Sequence, residues 1–244
     1  MSKIIAVWGS PNSGKTTLSV KLANYFYERH SAVVAVVFAD MITPSLPVVF
    51  PNKKSDEMFS VGTPLSKPEV LQNDVMKNIV TYKGKNNMGF LGFKDGENRH
   101  SHPTFEENKV DALLAILKSN VDIVIVDCSS DIQNTITASA LKNADSVIQV
   151  ATPDLKSVSF FSSQLGLLND TMLLSDNHII CLNKTENSTY EPISEATSYF
   201  KEVAFSFPYS SELKNQYMKG TLIEKVSDRK VSFLVKALAE KAVK

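Results

Sequence analysis

The sequence predicts an α/β fold, a doubly wound and mostly parallel sheet of about seven strands flanked by helices. Three observations carry this expectation. Short apolar runs rich in β-branched residues recur along the 244-residue chain, as buried parallel strands do. Stretches with helical spacing separate them, and strand–helix alternation is the pattern of parallel βαβ units. The first run, Lys3 to Trp8 (KIIAVW), passes directly into a glycine-bearing loop and then into a helix. The length suits one domain over 1–244, and 43% hydrophobic residues with nine Gly and ten Pro describe an ordinary globular chain.

The loop, GSPNSGKTT from Gly9 to Thr17, satisfies G-x-x-x-x-G-K-[ST] with Gly9, Gly14, Lys15 and Thr16 at the fixed positions. A loop that wraps a polyphosphate aims backbone N–H groups inward, which requires the dihedral freedom of Gly9 and Gly14. Ser10, Pro11, Asn12, Ser13 and Thr17 complete the predicted cradle, and the following helix adds its N-terminal dipole. Lys15 supplies a point charge for the β- and γ-phosphates, and the Thr16 hydroxyl is a hard ligand for Mg2+. The chain is therefore predicted to bind a nucleotide. Its first helix is expected to run to about Glu28, with Leu18, Leu22, Tyr25 and Phe26 inward.

A second buried strand covers Val33 to Phe38 and leads to Asp40, after which Pro44 and Pro47 forbid a continued strand. A carboxylate at that edge of a parallel sheet sits where such sheets bind ligands. Asp40 is therefore a candidate to orient an attacking water or hold a metal-bound one; the plainer alternative is a loop cap. Residues 51–104 read as an irregular excursion, with a helix from Lys67 to Val80 and a short strand near Met88–Phe93. Arg99-His100-Ser101-His102, followed by Glu106 and Glu107, lacks the helical spacing of a metal site and reads as exposed loop.

From Phe105 the pattern clears. FEENKVDALLAILKSN is a helix with Leu113, Leu114 and Leu117 inward, and IVIVD ends a third buried strand at Asp127. An acid after such a run is the expected magnesium partner of a phosphate loop. TITASALKNA is a helix, Ser146 to Asp154 holds a strand, and LKSVSFFSSQLGLLND is a helix. A fifth strand, His178 to Asn187, carries Asn183 and Lys184 at its end. The amide of Asn183 can donate to and accept from a purine edge. NKTE resembles the base-reading NKxD of GTPases, but Glu186 stands in place of the Asp, so guanine specificity does not follow. VAFSFP ends a sixth strand at Pro208, and a loop from Tyr209 onward is positioned to close over the base. Asp228 to Val243 forms a last amphipathic helix with Phe233, Leu234, Leu238 and Ala242 on its inward stripe.

Equal numbers of acidic and basic residues, 26 each, exclude a global attraction to nucleic acid or membrane. Locally, Lys214 to Lys244 holds eight Lys/Arg against three acids, which suits either non-specific DNA contact or, more simply, a solvated helix face. The final helix has no Trp and reads as core packing rather than a membrane anchor. No apolar run approaches the ~18–20 residues of a membrane span, and no leader pattern precedes the first strand, so a cytoplasmic location is expected. Cys128 and Cys181 then read as small, reduced core residues, and the N-x-[ST] matches at Asn169 and Asn187 as chance.

In order and spacing these landmarks resemble the MinD/ParA group of ATPases (deviant Walker A, SIMIBI class) over nearly the whole chain outside 51–104. VVAVVFADMITPSL resembles that group's switch I, IVIVDCSS its switch II, and FPYSSEL its base-pocket segment. The resemblance implies ATP and Mg2+ as ligands, with Asp40 positioning the attacking water. It also implies a nucleotide-dependent homodimer, slow hydrolysis, a protein partner that stimulates turnover, and a role in positioning or partitioning cargo. Pro208 and Tyr209 join Asn183 and Lys184 on the base side. Two positions depart from the pattern. The group's signature lysine, five residues before Lys15, is Ser10 here, followed by Pro11 and Asn12 where glycines are usual. The glycine of D-x-x-x-G in switch II is Asp131. Loss of a cation weakens transition-state stabilisation, which makes the TadZ/CpaE branch an attractive comparison. The alternatives are a nucleotide-bound scaffold with little ATPase activity, or a metal-cluster maturation ATPase of the same fold, for which Cys128 is poor support.

Overall fold

The computed structural model describes residues 2–102, 104–168, 178–186, 199–200 and 202–244. Its strands are β1 (Lys3–Gly9), β2 (Val34–Phe38), β3 (Val80–Tyr82), β4 (Lys85–Leu91), β5 (Ile123–Asp127), β6 (Ser146–Ala151), β7 (His178–Thr185) and β8 (Val203–Pro208). They form one sheet in the order β3-β4-β2-β5-β1-β6-β7-β8, parallel throughout except for the β3–β4 hairpin. β1 lies at the centre, with Ala6 opposite Val126 of β5 and Val147 of β6.

Strand alternation divides the core into two layers. Ile5 and Val7 of β1 face α1 (Lys15–His30) and the C-terminal helix α9 (Arg229–Ala242), joining Leu22, Phe26, Val235 and Leu238. Ile4, Ala6 and Trp8 face the other side, where α5 (Glu107–Asn120), α6 (Thr135–Asn143) and α7 (Leu155–Gln164) contribute Leu113, Leu117, Ile136 and Phe161. Each fully buried Val, Leu, Ile or Phe contributes about 1.5–3 kcal/mol, so the two layers supply most of the driving force. Side-chain caps set the helix starts: Asn134 accepts from Thr137 N, Asp154 from Ser157 N, and Asp228 from Lys230 N and Val231 N.

The excursion differs most from the sequence reading. Instead of one helix over 67–80, it holds α2 (Leu46–Val49) just before it, α3 (Gly62–Leu65) and α4 (Gln72–Lys77). Pro68 disfavours helical backbone at the residue before it, and Leu71 is extended. Val80 cannot be helical because it pairs with Phe90 in the β3–β4 hairpin. The strand expected at 88–93 spans 85–91 and pairs with β2, Val34 opposite Met88. Among the described residues the hairpin brings the sheet to eight strands rather than about seven.

Two C-terminal expectations also change. The loop expected after Tyr209 is mostly α8 (Ser211–Lys219), capped by Ser210, which accepts from Leu213 N, and ended by Gly220 at φ 67°. Phe233, expected inward, is 67% exposed. The buried stripe of α9 is Val231, Val235, Leu238, Ala239 and Ala242, whose spacing leaves Phe233 on the outer face. α1 runs to His30 rather than Glu28, and α7 gives way to a 3-10 turn at Leu165–Leu168. Asn169 and Asn187 lie outside the described residues. Among the described residues, no helix is long and apolar enough to cross a membrane.

Candidate functional site

The central position of β1 delivers the phosphate loop to the carboxyl edge of the sheet, between the ends of β5 and β6. At Gly9 a Cβ would overlap the carbonyl of Val150, so only glycine lets the loop leave the strand here. Gly14 has φ 95°, and a Cβ there would overlap Asn183 Nδ2. The two glycines that the motif demands are thus required by β6 and β7, besides any ligand.

Lys15 opens α1, and its Nζ donates to Gly9 O (3.2 Å), Ser10 O (3.0 Å) and Ser130 Oγ (2.7 Å). Burial lowers its pKa from the ordinary lysine value, opposed by the charges of Asp127 and Asp40. One residue on, Thr16 Oγ1 donates to Asp127 Oδ2 at 2.7 Å, and Ser19 Oγ donates to Oδ1 at 3.4 Å. Burial pushes Asp127 up to about 6, against the Thr16 hydrogen bond and the Lys15 charge, which favour the carboxylate. Thr16 Oγ1 also lies 3.4 Å from Ser45 Oγ. These are hard oxygen donors around a buried acid beside the loop, a set that fits Mg2+.

Asp40 is half-buried and closes its own loop. Its carboxylate accepts from Ile42 N (2.8 Å), Thr43 N (3.1 Å) and Thr43 Oγ1 (2.9 Å). In this conformation it acts as the cap that the sequence allowed as its plainer role, while lining the same cleft as Asp127. The two switch-like loops are tied together by Asn134, whose Nδ2 donates to Ala39 O at 2.9 Å.

That cleft, about 1170 Å³, runs from the phosphate loop to the base side. Asn183 Nδ2 donates to Ser13 O at 2.7 Å, and Lys184, at φ 57°, donates from Nζ to Asn12 O. Pro208 and the 40%-exposed Tyr209 continue the wall into Leu213, Lys214 and Tyr217 of α8. Of the residues predicted from sequence, Pro11, Asn12, Gly14, Lys15, Thr16, Thr17, Asp40, Asp127, Asn183, Lys184, Pro208 and Tyr209 line the cleft. Ser10 and Ser13 are buried beneath it.

Ser10 is the decisive departure. Its side chain is 1% exposed and its Oγ lies 2.9 Å from Ser157 Oγ, so the position points into α7. Asp131 Oδ1 accepts from Gln133 N at 2.9 Å at the start of α6. Sequence reading missed Ser19, Ser45, Ser130, Phe160 and α8. Ser19 was within reach of it, being three residues after Thr16 on one helix face. The Cys128 and Cys181 thiols are free, buried, and pushed up by that burial. His102 Nε2 lies 3.1 Å from Glu97 Oε1, and its ring packs near Phe93 and Phe105. Among the described residues, no three His, Cys, Asp or Glu side chains converge on a metal site.

No protein-family model matches this sequence, and no curated protein matches it. Solved structures do. Apo McdA from Cyanothece superposes with a TM-score of 0.77 at 18% identity, over 100% of both chains. The septum site-determining protein MinD complexed with Mg-ADP, from Pyrococcus horikoshii OT3, gives 0.76 at 18% identity, over 99% of this chain and 96% of that one. A ParA family ATPase from Chlorobium tepidum TLS gives 0.73 at 15% identity, over 98% and 99%. The chain therefore has the fold of the MinD- and ParA-type P-loop ATPases.

Proposed function

We propose that this chain is an ATP-binding, slowly hydrolysing dimerisation switch of the MinD/ParA type that positions or partitions cellular cargo. One observation carries the reading: Lys15, the Thr16–Asp127 pair and Asn183 converge on one large cleft at the carboxyl edge of the sheet. MinD with Mg-ADP shares this fold, which supports a nucleotide and Mg2+ as the ligands here.

In this reading Lys15 leaves its three oxygen partners to meet the β- and γ-phosphates, and Thr16, Asp127 and Asp40 would hold Mg2+. The bound cation supplies charge neutralisation on the phosphates. Asp40, released from its turn with Thr43, orients the attacking water. Asn183 reads the purine edge, while Pro208, Tyr209 and Lys184 enclose the base. A second copy of the chain and a partner that stimulates turnover complete the cycle, and non-specific DNA contact, if made, falls on the basic segment from Lys214 to Lys244, whose simpler role is a solvated helix face. Binding of ATP by the wild type and its loss in Lys15→Ala test the site. A mass in solution that doubles with a non-hydrolysable ATP analogue but not with ADP tests the switch. A Lys15→Ala variant that binds ATP as well as wild type would exclude the reading.

The burial of Ser10 favours a second reading, a nucleotide-bound scaffold with little turnover, because that position cannot present a cation to a partner's phosphates. Steady ATP turnover that Asp40→Ala abolishes would exclude the scaffold.

A further inference from the structure

We propose that the Ser130 hydroxyl is the group by which this chain distinguishes a nucleoside triphosphate from a diphosphate. The proposal rests on the nucleotide reading above and deepens it. Ser130 lies three residues beyond Asp127 and lines the cleft. Its Oγ accepts from Lys15 Nζ at 2.7 Å and donates to Gly9 O at 2.8 Å. With Gly9 O and Ser10 O also on the ammonium, all three hydrogens of Lys15 are engaged.

A terminal phosphate that recruits Lys15 must draw it away from these three acceptors. Two of them are carbonyls, which have no hydrogen to give and turn a negative dipole end toward an arriving anion. Ser130 alone carries a hydrogen, and its hydroxyl can rotate from Gly9 O to a phosphate oxygen, a charge-assisted bond stronger than the one it leaves. A diphosphate's β-phosphate can recruit Lys15, but it ends one phosphoryl group short of Ser130, whose hydroxyl therefore stays on Gly9 O.

Two independent features leave this task to Ser130. Asp131 occupies the position where the resemblance expects a glycine N–H, and its own N–H already donates to Ser129 Oγ at 3.3 Å. Ser10, the other position from which a phosphate-directed group is expected, faces Ser157 instead. The loop beyond β5 thus offers a side-chain hydroxyl in place of a backbone contact.

Titration calorimetry of the full chain with Mg-ADP and with a magnesium complex of a non-hydrolysable ATP analogue tests this in wild type, Ser130→Ala and Ser130→Thr. Ser130→Ala is expected to lose about 10- to 100-fold in affinity for the analogue, the range for one hydrogen bond to a charged group, with ADP affinity held within about threefold. Ser130→Thr keeps the hydroxyl and is expected to keep the wild-type ratio. An equal loss for both nucleotides in Ser130→Ala, or no loss for either, overturns the proposal. Wild type that binds neither nucleotide overturns the underlying reading instead, so the two failures are distinct.

Discussion

Replacing Lys21 by methionine cuts the tie between the helix after the phosphate loop and the opposite wall of the cleft. Lys21 is 3% exposed, and its Nζ donates to Gln216 Oε1, to Leu222 O (2.7 Å) and to Glu224 O (2.7 Å). Those residues close α8, which carries Leu213, Lys214 and Tyr217 on the cleft. Methionine preserves the volume but leaves the acceptors behind. Gln216 can rotate, and Glu224 O keeps a long contact from Asn24 at 3.5 Å, so Leu222 O bears most of the loss. The lost hydrogen bonds cost about 2–4 kcal/mol, and release of the buried ammonium offsets much of that at pH 7.

The pH dependence sharpens this test. Burial lowers Lys21 from 10.5 to about 8, against the opposing charges of Glu212 and Glu224. The unfolded chain therefore holds this proton more tightly than the folded one. The resulting penalty is full below pH 8 and is relieved as pH rises from 8 toward 10.5. Only wild type gains from that relief, so its stability margin over Lys21→Met should widen by about 2–3 kcal/mol between pH 7 and pH 10. Urea unfolding of both proteins at the two pH values measures it. A margin that stays constant or narrows between the two pH values refutes the reasoning.

Gly14→Ala places a Cβ on left-handed backbone and against Asn183 Nδ2, so it should cost more than about 1 kcal/mol and reduce nucleotide affinity at least about tenfold by calorimetry. Asp127→Asn keeps the shape of the acid but removes its charge. ATP affinity should then cease to respond to added Mg2+, and an unchanged Mg2+ response would argue against Asp127 as a ligand. Ser10→Lys restores the residue that the resemblance expects, yet forces an ammonium against Ser157 in the core. It should destabilise by about 2–4 kcal/mol without raising turnover, and a stable, faster variant would show that the position can turn outward.

What the sequence disclosed follows from how local each determinant is. The phosphate loop was legible because Gly9, Gly14, Lys15 and Thr16 answer to requirements within nine residues. β1, β2, β5 and β6 were legible because strands buried on both faces read as unbroken apolar runs. β4 was blurred because KNNMGFL is half polar, and its identity depends on pairing with β2, some 50 residues earlier. α8 had legible ends in Ser210 and Gly220, but its polar sequence, SELKNQYMK, gave no apolar stripe between them. Phe233 misled by type, since its phase on α9 opposes the buried stripe. The Lys15–Ser130 contact spans 115 residues and exists only once β1 and β5 pair.

The charge around the cleft shows why the loop needs its backbone as much as its lysine. Among the described residues its lining holds Lys15, Lys184 and Lys214 against Asp40, Asp127 and Asp131, so the formal charges cancel. A free triphosphate, strongly anionic, meets no net attraction from these side chains, and Asp127 and Asp40 oppose its terminal phosphate directly. What remains favourable is the fan of N–H groups at the head of α1 and a divalent cation between the acids and the phosphates. Neutralising Asp127 should therefore help a metal-free nucleotide while harming the magnesium complex. If both forms weaken together in Asp127→Asn, the acid is holding the loop in shape through Thr16 rather than a cation.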